Sequence, residues 1–185
     1  MFSDIRSLGM EPAFEMVAAP EGKTLFYRGE HKRVIKPRVL NDNRLHRVAG
    51  PLVYCVEDHR GVLRYVGKWV SETPLYSRWF RHEHIHHQTS SRRYYLEELD
   101  AGRTPLIVWS ASAHELRPRL PPSELGYYAL AEALEGLWIT RWRSQLWNKN
   151  RPAFPSGFTD GEYWKQSDLT VRSSGLPSAD AELKR

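Results

Sequence analysis

The order of strand-forming and helix-forming stretches predicts an α+β domain: a three-stranded antiparallel sheet flanked by helices, with an extension at each end. Three observations predict it. Two β-rich runs, residues 52–56 (LVYCV) and 63–66 (LRYV), flank the polar tetrapeptide Asp58-His59-Arg60-Gly61, the pattern of a β-hairpin. A third β-rich run, residues 104–110 (TPLIVWS), follows a helical stretch. Beyond it, residues 123–143 form the longest helical candidate, with Tyr127, Leu130, Leu134, Leu137 and Trp138 along one apolar stripe.

Each element has a local reason. The first 20 residues show no strong period, and residues 23–28 (KTLFYR) suit a short strand. Residues 28–47 carry Arg28, Lys32, Arg33, Lys36, Arg38, Arg44 and Arg47 against only Glu30 and Asp42. Val34, Ile35, Val39 and Leu40 interrupt the charges, so the segment reads as a basic extended arm or hairpin rather than a disordered tail; a solvated surface is the alternative. After the 52–66 hairpin, Thr73 suits a helix N-cap and Pro74 the first helical position, for a helix reaching about residue 86. A second helix fits residues 91–101, stopped by Gly102. Residues 116–123 are proline-rich and read as a loop, and the last 30 residues as irregular chain. The expected organisation is an extension with a basic arm at 1–49, a core domain at 50–151 and a tail at 152–185.

Composition narrows the function. A hydrophobic fraction of 41% and an aromatic fraction of 12% supply a real core and exclude a disordered chain. The apolar runs are far short of the ~20 residues that span a bilayer, and residues 1–22 lack the charged-then-apolar order of a signal peptide. An intracellular, cytoplasmic protein with no membrane partner is expected. Cys55 is the single cysteine, which excludes an intrachain disulfide and any multi-cysteine zinc site. The formal net charge of +5 favours a polyanionic partner, chiefly nucleic acid.

Chemistry-bearing residues recur in a definite order. Leu52-Val53-Tyr54 is followed eleven residues after Tyr54 by Tyr65-Val66-Gly67 and then Lys68. Leu75-Tyr76-Ser77-Arg78 comes next, with His82 four residues beyond Arg78. Glu135 sits in Ala-Leu-Glu-Gly-Leu-Trp-Ile, and Asn148 in Leu-Trp-Asn. This ordered set resembles the GIY-YIG nuclease superfamily over roughly residues 50–151. Leu52 replaces the family's first glycine, and the loop 69–74 before the arginine helix is longer than usual. The resemblance implies an endonuclease that hydrolyses double-stranded DNA; a freestanding chain of this size is compatible with a restriction-, phage- or mobile-element-like nuclease, with a secreted nuclease toxin or a DNA-repair nuclease as alternatives. It implies Tyr54 or Tyr65 as general base, with Tyr54 favoured. Arg78 is implied as phosphate clamp, Glu135 as ligand of a single Mg²⁺ (or Mn²⁺), and Lys68, His82 and Asn148 as further members of the catalytic set.

The residue types suit that chemistry. Phosphodiester hydrolysis needs a positioned water and a stabiliser of developing negative charge. Mg²⁺ is often bound by one or two carboxylates plus substrate phosphate. Arginine offers a planar fork that is always charged. Tyrosine acts as a base only as phenolate, a form that neighbouring positive charge favours. Glu135 lies about 100° round the helix from Leu134, at the stripe's edge, whereas Glu132 is expected to face solvent. Arg78 and His82, at i and i+4, share a helical face. His82 and His86 have the spacing of two zinc ligands, but no third stands at a conventional distance. Lys32, Arg33, Lys36 and Arg38 are the expected nucleic-acid contacts of the arm. The alternative from another class is a nucleic-acid-binding module without catalysis, and a dimer is compatible with either.

Overall fold

A computed structural model describes residues 8–18, 24–27, 30–33, 35–41, 51–71, 73–75, 90–120 and 124–148. The strands are β1 (Glu11–Ala18), β2 (Thr24–Tyr27), β3 (Glu30–Arg33), β4 (Ile35–Val39), β5 (Leu52–Glu57), β6 (Leu63–Trp69) and β7 (Leu106–Ser112). The helices are α1 (Ser90–Asp100), the single turn α2 (Ala113–Leu116) and α3 (Tyr127–Arg141), with a 3-10 turn at Arg117–Arg119. The fold is α+β, with a five-stranded sheet in the order β4-β1-β7-β5-β6 and every neighbouring pair antiparallel. β2 and β3 form a separate antiparallel hairpin.

The three strands expected from sequence are β5, β6 and β7. Every residue of β5 is buried, as a run without polar alternation requires of a strand covered on both faces. The turn into β6 is built on Asp58. Its Oδ1 accepts the backbone N–H groups of Arg60 and Val62, each at 2.9 Å, and its Oδ2 accepts Arg64 Nε at 2.8 Å. Burial alone would push the Asp58 carboxyl up. The hydrogen bonds from Val62, Arg64 and Arg60 outweigh that and hold it below the usual carboxylate range.

The sheet is larger than the three strands expected, because β1 and β4 join it. β1 (EPAFEMVA) lies between β4 and β7, with Ala13, Phe14, Glu15 and Met16 all buried, so it carries no two-residue polar alternation. Glu15 tolerates burial because Arg38, its register partner on β4, forms an ion pair with it. The 28–47 segment thus contributes β3 and β4; residues 42–47 lie outside the described residues.

The third expected strand is displaced by two residues and ends by entering α2. Ser112 caps that turn: its Oγ accepts Glu115 N–H at 3.1 Å, while the Glu115 carboxylate accepts Ser112 N–H at 2.8 Å. The stretch expected as a loop from 116 therefore starts helical. α1 matches the expected second helix, and the chain leaves it through Gly102 at φ 67°. The helix expected to reach residue 86 falls, beyond Leu75, outside the described residues.

Two cores sandwich the sheet. Leu130, Leu134, Leu137 and Trp138 of α3 pack with Val53, Cys55 and Val66 on one face. Tyr95 and Leu99 of α1 pack with Phe14, Tyr54 and Val108 on the other. Tyr127 departs from the expected stripe. It is 41% exposed at the start of α3, where the Arg117 guanidinium covers its ring at 4.7 Å. Among the described residues no helix is long and apolar enough to cross a membrane.

Candidate active site

β6 is the last strand of the sheet, so one row of its backbone groups faces away from β5. An open row of this kind invites pairing with another chain unless something covers it. Here three groups do. Trp147 N–H donates to Arg64 O at 2.6 Å. The Asn148 amide works in both directions, accepting Val66 N–H at 3.0 Å and donating to Val66 O at 2.7 Å. Glu135 Oε1 accepts Lys68 N–H at 3.1 Å. Asn148 and Glu135, 82 and 67 residues from their β6 partners in sequence, therefore meet along one strand edge.

Lys68 gathers the charges. Its ammonium pairs with Glu132 Oε1 and stands 3.9 Å from Glu135 Oε2. The side chains of Lys68, Glu132 and Glu135 keep 27%, 31% and 21% of their surface, so solvent and solutes reach all three. Glu132 does not simply face solvent as expected. It lies three residues before Glu135, hence on the same side of α3, and the Lys68 ammonium draws it into the cluster. The i, i+3 spacing of the two glutamates was the available signal.

The tyrosines occupy the opposite face. Tyr54 is fully buried, and its ring stacks on Tyr65 with centroids 5.9 Å apart and planes at 23°. Tyr65 meets Tyr95 edge-on at 6.1 Å, and Tyr95 meets Trp147 at 5.5 Å. Trp147 also stacks on Tyr94 at 5.6 Å, which ties α1 to the chain that covers β6. Gly67 is the register partner of Tyr54. A Cβ there would stand 2.7 Å from Tyr54 Cε1 and closer still to the hydroxyl, so the tyrosine ring crosses β6 where no side chain stands.

Of the expected site residues, Lys68, Glu135 and Asn148 come together at the β6 edge, and Tyr54 and Tyr65 stack on each other. The tyrosine face and the α3 face approach at consecutive residues: the Tyr54 hydroxyl lies over Gly67, and Glu135 holds the N–H of Lys68. Arg78, His82 and His86 lie outside the described residues. Leu75, three residues before Arg78, is fully buried in the core that contains Tyr54. Lys36 and Arg38 are on β4, at the other edge of the sheet from β6, about 19 Å away at the usual strand spacing. Lys32 and Arg33 are on β3, and their side chains are outside the described residues.

Among the described residues no three His, Cys, Asp or Glu side chains gather as a self-sufficient metal cage. Glu132 and Glu135 are donors of the type a hard cation takes, and the Lys68 ammonium contacts both. Cys55 is buried on the α3 face, where desolvation first and Glu57 second push its thiol up, so it supplies no nucleophile. No family model, curated protein or solved structure matches this chain.

Proposed function

We propose that the chain is a DNA endonuclease that hydrolyses phosphodiester bonds with the help of a divalent metal, on a GIY-YIG-like unit at residues 50–151. One observation carries the reading: the Tyr54 hydroxyl and the Glu135 carboxylate address adjacent residues, Gly67 and Lys68, of a single edge strand. The order hairpin, α1, β7, α3 also accords with the expected order hairpin, helix, helix, strand, long helix, whose first helix falls, beyond Leu75, outside the described residues.

Each residue then has a task. Tyr54, as phenolate and with water admitted to its buried Oη, takes the proton of the attacking water, and the stacked Tyr65 ring keeps Tyr54 in one orientation. Arg78 grips the scissile phosphate through two N–H groups. His82 assists at the phosphate. Lys68 adds a positive charge beside the carboxylates. Asn148 fixes the strand that carries Tyr65 and Lys68. Glu135 would hold the cation, Mg²⁺ or Mn²⁺, which supplies charge stabilisation at the phosphate when bound. Lys32, Arg33, Lys36 and Arg38 contribute phosphate contacts away from the scissile bond, at a distance that an extended nucleic acid bridges.

A second reading, a nucleic-acid-binding module without catalysis, draws on the internal use of Glu135 and Asn148 as covers of the β6 edge. Incubating the pure protein with plasmid DNA in Mg²⁺ and in EDTA separates the two. The nuclease nicks or linearises plasmid in Mg²⁺ alone, whereas the binding module retards intact plasmid in both.

A further inference from the structure

Lys68 is the one described cation that touches both carboxylates of α3, and each contact has a different character. Glu135 is anchored through Oε1 on the Lys68 backbone, and its Oε2 stays 3.9 Å from the ammonium. Glu132 has no such backbone anchor: its contact with Lys68 is made by the ammonium alone. Both Lys68 and Glu132 keep about a quarter to a third of their side-chain surface. An ion pair this exposed exchanges readily with other ions, because water and salt screen it.

We infer that Glu132 is a resident anion occupying the phosphate-binding position of Lys68, and that a substrate phosphate displaces it. This rests on the nuclease reading of the same site and adds a ligand contact to it. The chemistry of the exchange is direct. A carboxylate oxygen and a phosphate oxygen both accept charge-assisted hydrogen bonds from an ammonium, and a phosphodiester offers two such oxygens. The backbone anchor on Glu135 explains why the two glutamates part. Glu135 stays on the β6 edge while Glu132, held among the described residues by a flexible lysine alone, swings away. Lys68 is the residue that follows Gly67, so its ammonium is freed one residue from where the Tyr54 hydroxyl crosses the strand.

A resident anion on Lys68 has a signature, in sign, that other roles of Glu132 do not share. Removing a residual anion must tighten substrate binding, and only through Lys68. The test is fluorescence anisotropy of a labelled DNA duplex in EDTA, with wild type, Glu132→Gln, Lys68→Met and the double variant, each checked for fold by circular dichroism. Glu132→Gln tightens binding about fivefold, Lys68→Met weakens it, and the double variant equals Lys68→Met, a coupling of ordinary size for groups in contact. Two results overturn the inference: no tightening in Glu132→Gln, or the same tightening in the Lys68→Met background, which would mean general repulsion. A wild type that binds as described but leaves plasmid intact in Mg²⁺ overturns the nuclease reading and leaves the Lys68 exchange standing. A wild type that binds no duplex overturns both.

Discussion

The Tyr54 ring lies across Gly67, its partner in the β5–β6 register, so that its hydroxyl reaches the edge strand through the space a side chain would fill. Gly67 is thus a condition of Tyr54's position and not only a flexible link. Gly67→Ala forces the ring aside or shifts β6, and overpacking of this kind costs about 1–3 kcal/mol. We expect a lower melting temperature and a loss of cleavage larger than the stability loss explains. Wild-type melting and activity in Gly67→Ala would mean that the ring does not cross the strand there.

Asn148 replaces a missing neighbour strand for Val66, donating and accepting at once. Asn148→Asp keeps the acceptor and loses the donor; Asn148→Ala loses both. Each bond is worth about 0.5–1.5 kcal/mol net, so the alanine variant loses about 1–3 kcal/mol. Hydrogen exchange gives the local reading: the Val66 amide loses protection in the alanine variant, while amides of β5 keep it. Equal protection of Val66 in the two proteins would remove Asn148 from the edge.

Asp58 gives the fold a pH dependence with a definite sign. Its carboxyl titrates below the usual range in the folded chain, against about 3.9 when unfolded. Its contribution is therefore fully present above the unfolded value and is lost as pH falls through the folded one. Asp58→Asn removes the charge that pairs with Arg64, leaving its guanidinium the Gln145 carbonyl, and loosens the turn, with a cost of about 1–3 kcal/mol near neutral pH. The gap between wild type and variant narrows below pH ~4, as thermal melts from pH 7 to pH 3 would show. A gap that widened with acid would contradict the sign.

The basic segment divides into two kinds of residue. Arg38 is tied to the buried Glu15, so Arg38→Ala destabilises the fold by about 1–2 kcal/mol before any effect on DNA. Lys32, Arg33 and Lys36 test the proposed DNA contact, with circular dichroism as the check that the variant is folded. Replacing these three with alanine flattens the log–log salt dependence of binding by up to about 2.7 units, at about 0.9 per phosphate. An unchanged slope with an intact fold would make the segment a charged guard of the β4 edge.

How much was legible in the sequence follows from what each residue needs. β5 announces itself because an unbroken run such as LVYCV has few other uses, and Asp58 and Gly61 mark its turn. β1 is hidden because its middle holds a buried Glu15 whose partner, Arg38, is 23 residues away. Neither residue alone shows that the charge is neutralised. The stripe of α3 was readable from its spacing, apart from Tyr127, which a guanidinium covers in place of the sheet. Tyr54, Lys68, Glu135 and Asn148 stood out only as an ordered set of motifs. That Glu132 joins them depends on Lys68, 64 residues away, and on which side of the β6 edge α3 lies. Spacing along the helix shows that the glutamates are neighbours, not what stands between them.

The most direct test of the nuclease reading is single-turnover cleavage of supercoiled plasmid by wild type and by Tyr54→Phe, side by side, in Mg²⁺ and in EDTA. Phenylalanine keeps the ring, its stacking on Tyr65 and its fit over Gly67, and removes only the hydroxyl. Loss of a general base costs about 10²–10⁴-fold. The expected result is cleavage by wild type in Mg²⁺ only, a fall of at least ~100-fold in Tyr54→Phe, and unchanged duplex binding by both. Plasmid left intact by wild type, cleavage at full rate in EDTA, or near-normal cleavage by Tyr54→Phe would contradict it.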